Sequence, residues 1–537
     1  MHGFSISSHT RLEWSLSHTG LIHNHTQCGQ WHIERYTLPK FLEDKLWLDT
    51  ADLFIAIEGV ILNTDELCSD FNTTWQQLIP LLYRTNGPSF VSRLRGSFCG
   101  VVYDKTNDTL FVCNDQIGSK MLFYTSTDGS FCLCSDLHTL SRNLPRTEPD
   151  NIFIGDILDK GYATNNHTFI QGVHRLMAGE YLMVRGTTCS CHSYHHFDNT
   201  PHKYDEATML AETDRLFRQA VHRVLRKNEQ AHLRHFFPLS GGLDSRMCQW
   251  IAHNLATVPI TNFTYSQSGH YDHLLPQEIS RYLGNQWVFF PLDGGNYITD
   301  IDTVCADTDW MHNYMRPVEI DYYVRSTDWQ QVGVVLTGVN GDNILSADVD
   351  NRREIDRLYT LGFNANSLGS PLVLQHVSES YSPFCDVDLL SYVMHIPTAK
   401  RRNYQFYDRW ILTYYPEAAQ WHHKYESIGH RHSMLTIMGR HIQVRDLPRR
   451  IFLYIGRHMG WRDQDLALQE SMNPYDLWVQ QNPHIMEAFA DYYTRCMPLF
   501  QDDEQRRRCE HIFRQGSIME KGKVLTILSA LQHLFHN

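Results

Sequence analysis

Phe237-Pro-Leu-Ser-Gly-Gly-Leu-Asp-Ser-Arg246 is the stretch on which the reading of this chain turns. Its two glycines and two serines stand between an apolar run over 235–239 and an apolar, helix-like segment that continues to about residue 255. Glycine lets the backbone approach a ligand closely and turn N–H groups inward. The start of the following helix adds a partial positive charge. The pattern is a cradle for phosphate, with the Ser240 and Ser245 hydroxyls as further donors and Asp244 placed to hold a Mg²⁺ that binds phosphate. A tight strand-to-helix turn without a ligand is the plain alternative for any Gly-Gly pair. The strand–GxxxxGK[ST]–helix nucleotide loop is absent, because Gly522-Lys523 has the wrong spacing and no Ser or Thr after it.

Downstream, residues 260–265 read as a second strand, 277–283 as a helix and 333–336 as a third strand. Strand–helix alternation of this kind predicts an open parallel sheet. The third strand runs into Thr337-Gly-Val-Asn-Gly-Asp342, which puts a second carboxylate at the carboxyl end of a strand, where open α/β sheets bind ligands. Asp244 and Asp342 are then a pair able to share metal ions. Residues 205–226 predict an amphipathic helix, with Leu210, Phe217, Val221 and Val224 at helical spacing. Beyond about residue 390 the pattern is mostly helical and rich in Arg, His and Tyr.

Upstream, the pattern is different. Residues 50–63 are β-branched and apolar, and short strand-like runs follow at 98–103, 110–113, 122–125 and 131–134. Turn residues at 104–108, 115–119 and 128–129 separate them, and 169–197 continue in the same style. The first 200 residues therefore predict a β-rich domain.

The chain has 537 residues, 60 acidic and 47 basic, for a net charge of −13. That length predicts two to four domains. A net negative chain repels phosphate backbones, which argues against nucleic acid as a partner. The aromatic content of 12% argues against disorder. No apolar run is long enough to cross a membrane, and the first residues lack a signal-peptide pattern. Thirteen scattered cysteines predict reduced thiols and a cytoplasmic protein. Cys189, Cys191, His192, His195 and His196 crowd together, but with a spacing unlike the usual zinc pattern. The simpler reading is a strand end with exposed histidines.

The 240–245 string resembles the pyrophosphate-binding loop of the ATP pyrophosphatase superfamily, and the rest of the chain narrows the resemblance to the asparagine synthetase family. The stretch 335–342 is similar to that family's second strand and metal-binding aspartate. Glu379-Ser-Tyr-Ser-Pro-Phe-Cys-Asp386 is similar to its Glu-x-x-x-Pro-Phe-x-Asp element. Lys424 falls where the family carries a lysine over the reacting phosphate. Leu94-Arg-Gly-Ser-Phe98, Asp115-Gln-Ile-Gly118, Leu122-Phe-Tyr124 and Ser135-Asp136 follow the family's glutaminase domain in order.

The resemblance implies an Ntn-hydrolase-like sandwich over 1–200 and a parallel-sheet α/β ATP pyrophosphatase domain with a helical C-terminal part over 201–537. It implies ATP and Mg²⁺ as cofactors. Leu239, Ser240, Gly241, Gly242, Leu243, Asp244, Ser245, Thr264, Tyr265 and Gly338 would line the nucleotide, Asp244 and Asp342 would hold the metal, and Lys424 and Glu379 would be catalytic. Lys400 and Arg401 are the alternatives to Lys424 as the cation. For Glu379, accepting a proton from the amine and forming a structural ion pair are equally open.

Three positions depart from the family's glutaminase pattern: His2 in place of a cysteine, Glu58-Gly59 in place of Asn-Gly, and Arg95 in place of an aspartate. A carboxylate where an oxyanion donor is needed repels the developing charge, so this half is expected to be inactive. Val339 replaces a glutamate that asparagine synthetases carry, and Asp348 stands where some relatives have tyrosine. The expected activity is ATP-dependent amide ligation through an acyl-adenylate, releasing AMP and pyrophosphate. Its substrates would be a small-molecule, peptide or glycan carboxylate and an ammonia or amine donor, and a homo-oligomer is compatible with it. The alternatives are a non-catalytic scaffold and a true asparagine synthase using ammonia. Sulfur or nitrogen transfer to tRNA is disfavoured by the charge, although the arginines at 440–462 are its best support.

Overall fold

The computed structural model describes residues 2–15, 20–127, 129–186, 188–347, 349–421 and 471–535, with isolated positions and two short strands between 428 and 451. Lys424, Asp348 and most of the arginine-rich segment lie outside the described residues.

Two antiparallel six-stranded sheets form the N-terminal part. One runs β10 (His174–Arg175), β8 (Phe123–Thr127), β9 (Ser130–Cys134), β1 (Gly3–Ser7), β3 (Trp31–Thr37), β2 (Ile22–Cys28). The other runs β12 (Thr188–Ser193), β11 (Glu180–Arg185), β7 (Thr109–Asn114), β6 (Gly96–Asp104), β5 (Leu53–Ile61), β4 (Trp47–Asp49). Phe4, Trp31, Phe54, Val101 and Leu133 fill the space between them. Helices α1 (Thr64–Asp70) and α2 (Trp75–Asn86) cover the outer face of the second sheet through Leu78, Ile79 and Leu82. Helices α3 (Leu137–Arg142) and α4 (Asn151–Lys160) pack with Phe123 and Cys134 of the first sheet. Because both of its faces are covered, β5 is buried at all nine positions. It therefore reads as a continuous apolar run rather than an alternating one.

The second part begins with α5 (Glu206–Gln230), whose first turn is capped by Asp205 accepting from the Thr208 N–H at 2.9 Å. Strands β13 (His235–Pro238), β14 (Ile260–Ser266) and β15 (Gln286–Pro291) are parallel, as strand–helix alternation predicts. Helix α6 (Leu243–Leu255) joins the first two and α7 (Tyr271–Leu283) the second and third. Helix α7 starts six residues before the expected 277 and carries Pro276 inside it, capped by His270. The short strands β16 (Val335–Leu336) and β17 (Ser380–Tyr381) are also parallel, and an Arg234–Val332 bridge ties this pair to the β13 edge.

The C-terminal region is helical as expected, with the addition of a strand pair, Met434–Ile437 and Arg440–Gln443. The helix Ile518–Leu534 is buried on nearly every side, as a helix that is apolar all round must be. It sits among residues of both parts: Trp310 Nε1 donates to Ser529 Oγ at 2.9 Å, and Leu137, Phe153 and Ile154 share its core cluster.

Candidate active site

The phosphate-cradle stretch forms the connection from β13 to α6. Helix α6 begins after Gly242 with no side-chain cap, which leaves its first amides facing the loop. Within the loop, the Ser240 N–H donates to Ser245 Oγ at 3.0 Å, the two hydroxyls lie 2.9 Å apart, and the Gly242 N–H donates to Ser240 Oγ at 3.2 Å. Asp272, in the first turn of α7, accepts from the Gly241 N–H at 2.7 Å. The buried Arg246 guanidinium donates to Gly241 O at 3.1 Å and to Trp421 O at 3.0 Å. Burial lowers its pKa, and these carbonyls hold it in place. Arg246 thus fixes both the loop and the chain just ahead of Lys424.

The second loop is brought directly against the first. The Asp342 N–H donates to Asp244 Oδ2 at 3.0 Å, and Tyr407 donates its hydroxyl to Asp244 Oδ1 at 3.0 Å. Burial, then the Asp244 charge, hold the Tyr407 hydroxyl well above its ordinary pKa, so it remains a donor. The approach depends on glycine. A Cβ on Gly341 would lie 2.4 Å from Asp244 Cγ, and one on Gly338 would lie 2.5 Å from the Ser245 nitrogen. The turn itself is made by Asn340 at φ 69°, an uncommon conformation for a side-chain-bearing residue. Its amide pays for that by donating to Gly362 O at 3.1 Å and Ser367 Oγ at 3.0 Å. Two carboxylates on abutting loops beneath uncapped amides form an oxygen donor set of the kind Mg²⁺ uses, so the residues present fit a Mg²⁺–nucleotide.

The remaining expected positions are placed as follows. Leu239 and Thr264 pair within the sheet, the Leu239 N–H to Phe263 O at 2.8 Å and Thr264 Oγ1 to Leu239 O at 2.7 Å. Leu243 is buried in the core cluster. Tyr265 is stacked on Tyr323 at 5.0 Å. Glu379 is 1% exposed, and Lys120 donates to its Oε2 at 2.6 Å. Arg401 is buried and bonded to Glu354 and to the Ile344 and Ile396 carbonyls, so it is committed to packing.

Glu379 faces the N-terminal part. One ligand atom from each of His2, Glu58 and Glu379 lies within 4.8 Å of the others. Glu58 also accepts from Thr37 Oγ1 at 2.8 Å and lies 3.2 Å from Lys45 Nζ. Burial works against the Lys120 charge, but Glu379 outweighs it and raises the lysine pKa. Burial, with Lys45 and Lys120, keeps His2 well below its usual pKa and therefore neutral. Lys45 and Lys120 already balance the two carboxylates. A divalent ion would add two positive charges to a buried site, so the geometry there is that of an ionic cluster. Arg95 turns away from it and pairs with Asp388 at 2.8 Å. Cys189, Cys191 and the neighbouring histidines do not bring three ligand atoms within 4.8 Å of one another among the described residues.

The chain is similar to several known proteins. A glutamine amidotransferase domain model matches residues 46–195. Asparagine synthetase [glutamine-hydrolyzing] 2 of Bacillus subtilis is 26% identical over 270 residues, covering 45% of this chain and 35% of that protein. The chicken (Gallus gallus) asparagine synthetase is 25% identical over 265 residues, covering 44% and 43%. These similarities support an assignment to the asparagine synthetase family. An amidase of Penicillium rubens is also similar to this chain, 31% identical over 125 residues, with 22% and 18% covered. The match thus spans less than half the length of each of these relatives. Among solved structures, the B. subtilis glutamine phosphoribosylpyrophosphate amidotransferase complexed with ADP and GMP matches over 55% of this chain and 91% of that chain, at 10% identity and a TM-score of 0.28.

Sequence reasoning missed Asp272, Arg246 and Tyr407, which hold the two loops. No local signal marks them, since each reaches the site from another helix or another face of α6.

Proposed function

We propose that this protein is an ATP-dependent carbon–nitrogen ligase. It activates a substrate carboxylate as an acyl-adenylate with release of pyrophosphate, and then transfers the acyl group to an amine with release of AMP. The observation that carries this reading is the contact of the 240–245 and 337–342 loops at Asp244 and Asp342. The α6 amides and the Ser240 and Ser245 hydroxyls would cradle the pyrophosphate. Mg²⁺ held by Asp244 and Asp342 would neutralise phosphate charge. Tyr407 orients Asp244, and Arg246 holds the loop's carbonyl side away from the phosphates. Lys424 is proposed as the cation beside the α-phosphate. The Glu58 carboxylate near His2 supports an amine supply that does not come from glutamine hydrolysis.

The test is product analysis with candidate carboxylates, using ammonia, amines and glutamine as nitrogen sources. AMP and pyrophosphate are expected, with no glutamate from glutamine. Formation of ADP and orthophosphate would sink the mechanism. Asp342→Ala should lower pyrophosphate release by on the order of a hundredfold or more, with an unchanged melting temperature.

A further inference from the structure

Beside the 337–342 loop lies a cavity of ≈ 580 Å³ that opens to solvent, with Val339, Asn340, Arg316, Glu319, Asn473 and Tyr475 in its wall. Glu319 belongs to the helix Val318–Arg325. Among the described residues its Oε2 is buried with no hydrogen-bond partner, and its Oε1 accepts from Asn473 Nδ2 at 3.5 Å. Burial raises the Glu319 pKa to about 7, against its own backbone N–H and Asn473, and no positive charge among the described residues acts on it. Arg316, in the same wall, lies over the Tyr162 ring at 5.3 Å instead.

Aromatic rings surround this carboxylate. Tyr265, Tyr297, Tyr323 and Tyr475 are held above their ordinary pKa by burial, and then by the Glu319 charge among other neighbours. Tyr297 packs on Trp478 at 5.9 Å and Tyr475 on the same indole at 5.6 Å. Tyr297 also donates to Asn473 Oδ1 at 3.3 Å, which turns the Asn473 amide toward Glu319.

A buried carboxylate oxygen without a partner is costly, and no cation pairs with it among the described residues. An organic ammonium meets both needs: its N–H groups satisfy the orphaned oxygen, and its charge is attracted to ring faces. A metal ion is a poorer fit, because Glu319 belongs to no three-ligand group among the described residues. The volume far exceeds the roughly 30 Å³ that one water or ammonia occupies.

We propose that this cavity binds a protonated primary organic amine, with Glu319 as its counter-ion, and that this amine rather than ammonia is the nitrogen substrate: the ammonium gives one proton to the Glu319 carboxylate, the freed lone pair forms the N–C bond as the C–O bond to AMP breaks, and the second N–H proton leaves to solvent. The amine's role as substrate rests on the ligase reading; its binding does not. Benzylammonium, benzyl alcohol and ammonium chloride serve as probes, titrated calorimetrically into the full chain at about pH 8, where Glu319 is charged. Benzylammonium is expected to bind at least about tenfold more tightly than benzyl alcohol. Glu319→Gln should abolish that preference while Mg²⁺–ATP binding is retained. Tyr475→Leu should weaken benzylammonium binding without restoring that of the alcohol. Equal binding of the two probes, no binding of either, or an unchanged preference in Glu319→Gln would overturn the proposal and leave a site filled by water only. Failure of the ligase reading shows separately, as retained benzylammonium binding with no AMP or pyrophosphate from any carboxylate.

Discussion

Burial acts on Glu319 with no cation among the described residues to oppose it, whereas Glu379 is bonded to Lys120. One carboxylate is left facing a cavity and the other is spent on packing. The folded pKa of Glu319, about 7, stands above its ordinary 4.5. Its contribution to stability is therefore fully present below pH 4.5 and is lost as pH rises through about 7. Glu319→Gln should flatten that part of the stability curve and raise stability above it by on the order of 3 kcal/mol. Urea unfolding of both proteins across this range checks the claim, and parallel curves would refute it. At Lys424, a cation beside the α-phosphate acts mainly on the transition state. Lys424→Ala should lower turnover by about a hundredfold with little change in ATP affinity. Arg401→Ala should instead destabilise the fold, since its guanidinium is bonded to Glu354 and two carbonyls. Near-normal turnover without Lys424 would move the search to Lys400.

Among the elements, the strand-to-helix loops after β13 and β16 meet, the Asp342 N–H donating to Asp244. Their contact is steric as well as electrostatic. With a Cβ at residue 341 only 2.4 Å from Asp244 Cγ, Gly341→Ala must push the loops apart. Asp342, next to the substituted position, is exposed, so we expect this variant to stay folded and to lose Mg²⁺–ATP binding at least tenfold. Titration of ATP into the purified variant measures it; wild-type affinity would show that the loops tolerate separation.

Across the whole molecule, polar contacts tie the two parts together. Lys120 reaches Glu379, Arg95 reaches Asp388, and Lys227 donates to Asp44 at 2.9 Å. Lys40 donates to the carbonyls of Trp329, Val332 and Val377. With the helix Ile518–Leu534 packed among residues of both parts, unfolding should be a single transition. Lys120→Met leaves Glu379 buried and unpaired, at a cost of about 3–5 kcal/mol. Calorimetry of this variant should show one transition at a lower temperature; an unchanged melting point would mean that water reaches Glu379.

The sequence by itself determined the parts that rest on local rules. The glycine-serine string and the carboxylates at 244 and 342 follow from which residues can approach phosphate, and the strands of the sandwich from apolar runs broken by turn residues. Helix α7 was legible only in part, because Pro276 hides a helix that His270 starts upstream. Only the tertiary structure decided the rest. Glu379 and Glu319 are separated in role by what lies against them, Lys120 in one case and a ring of tyrosines in the other, and those partners come from positions far away in the chain. Burial and charge pairing are sums over neighbours that folding alone assembles, so no window of sequence carries them.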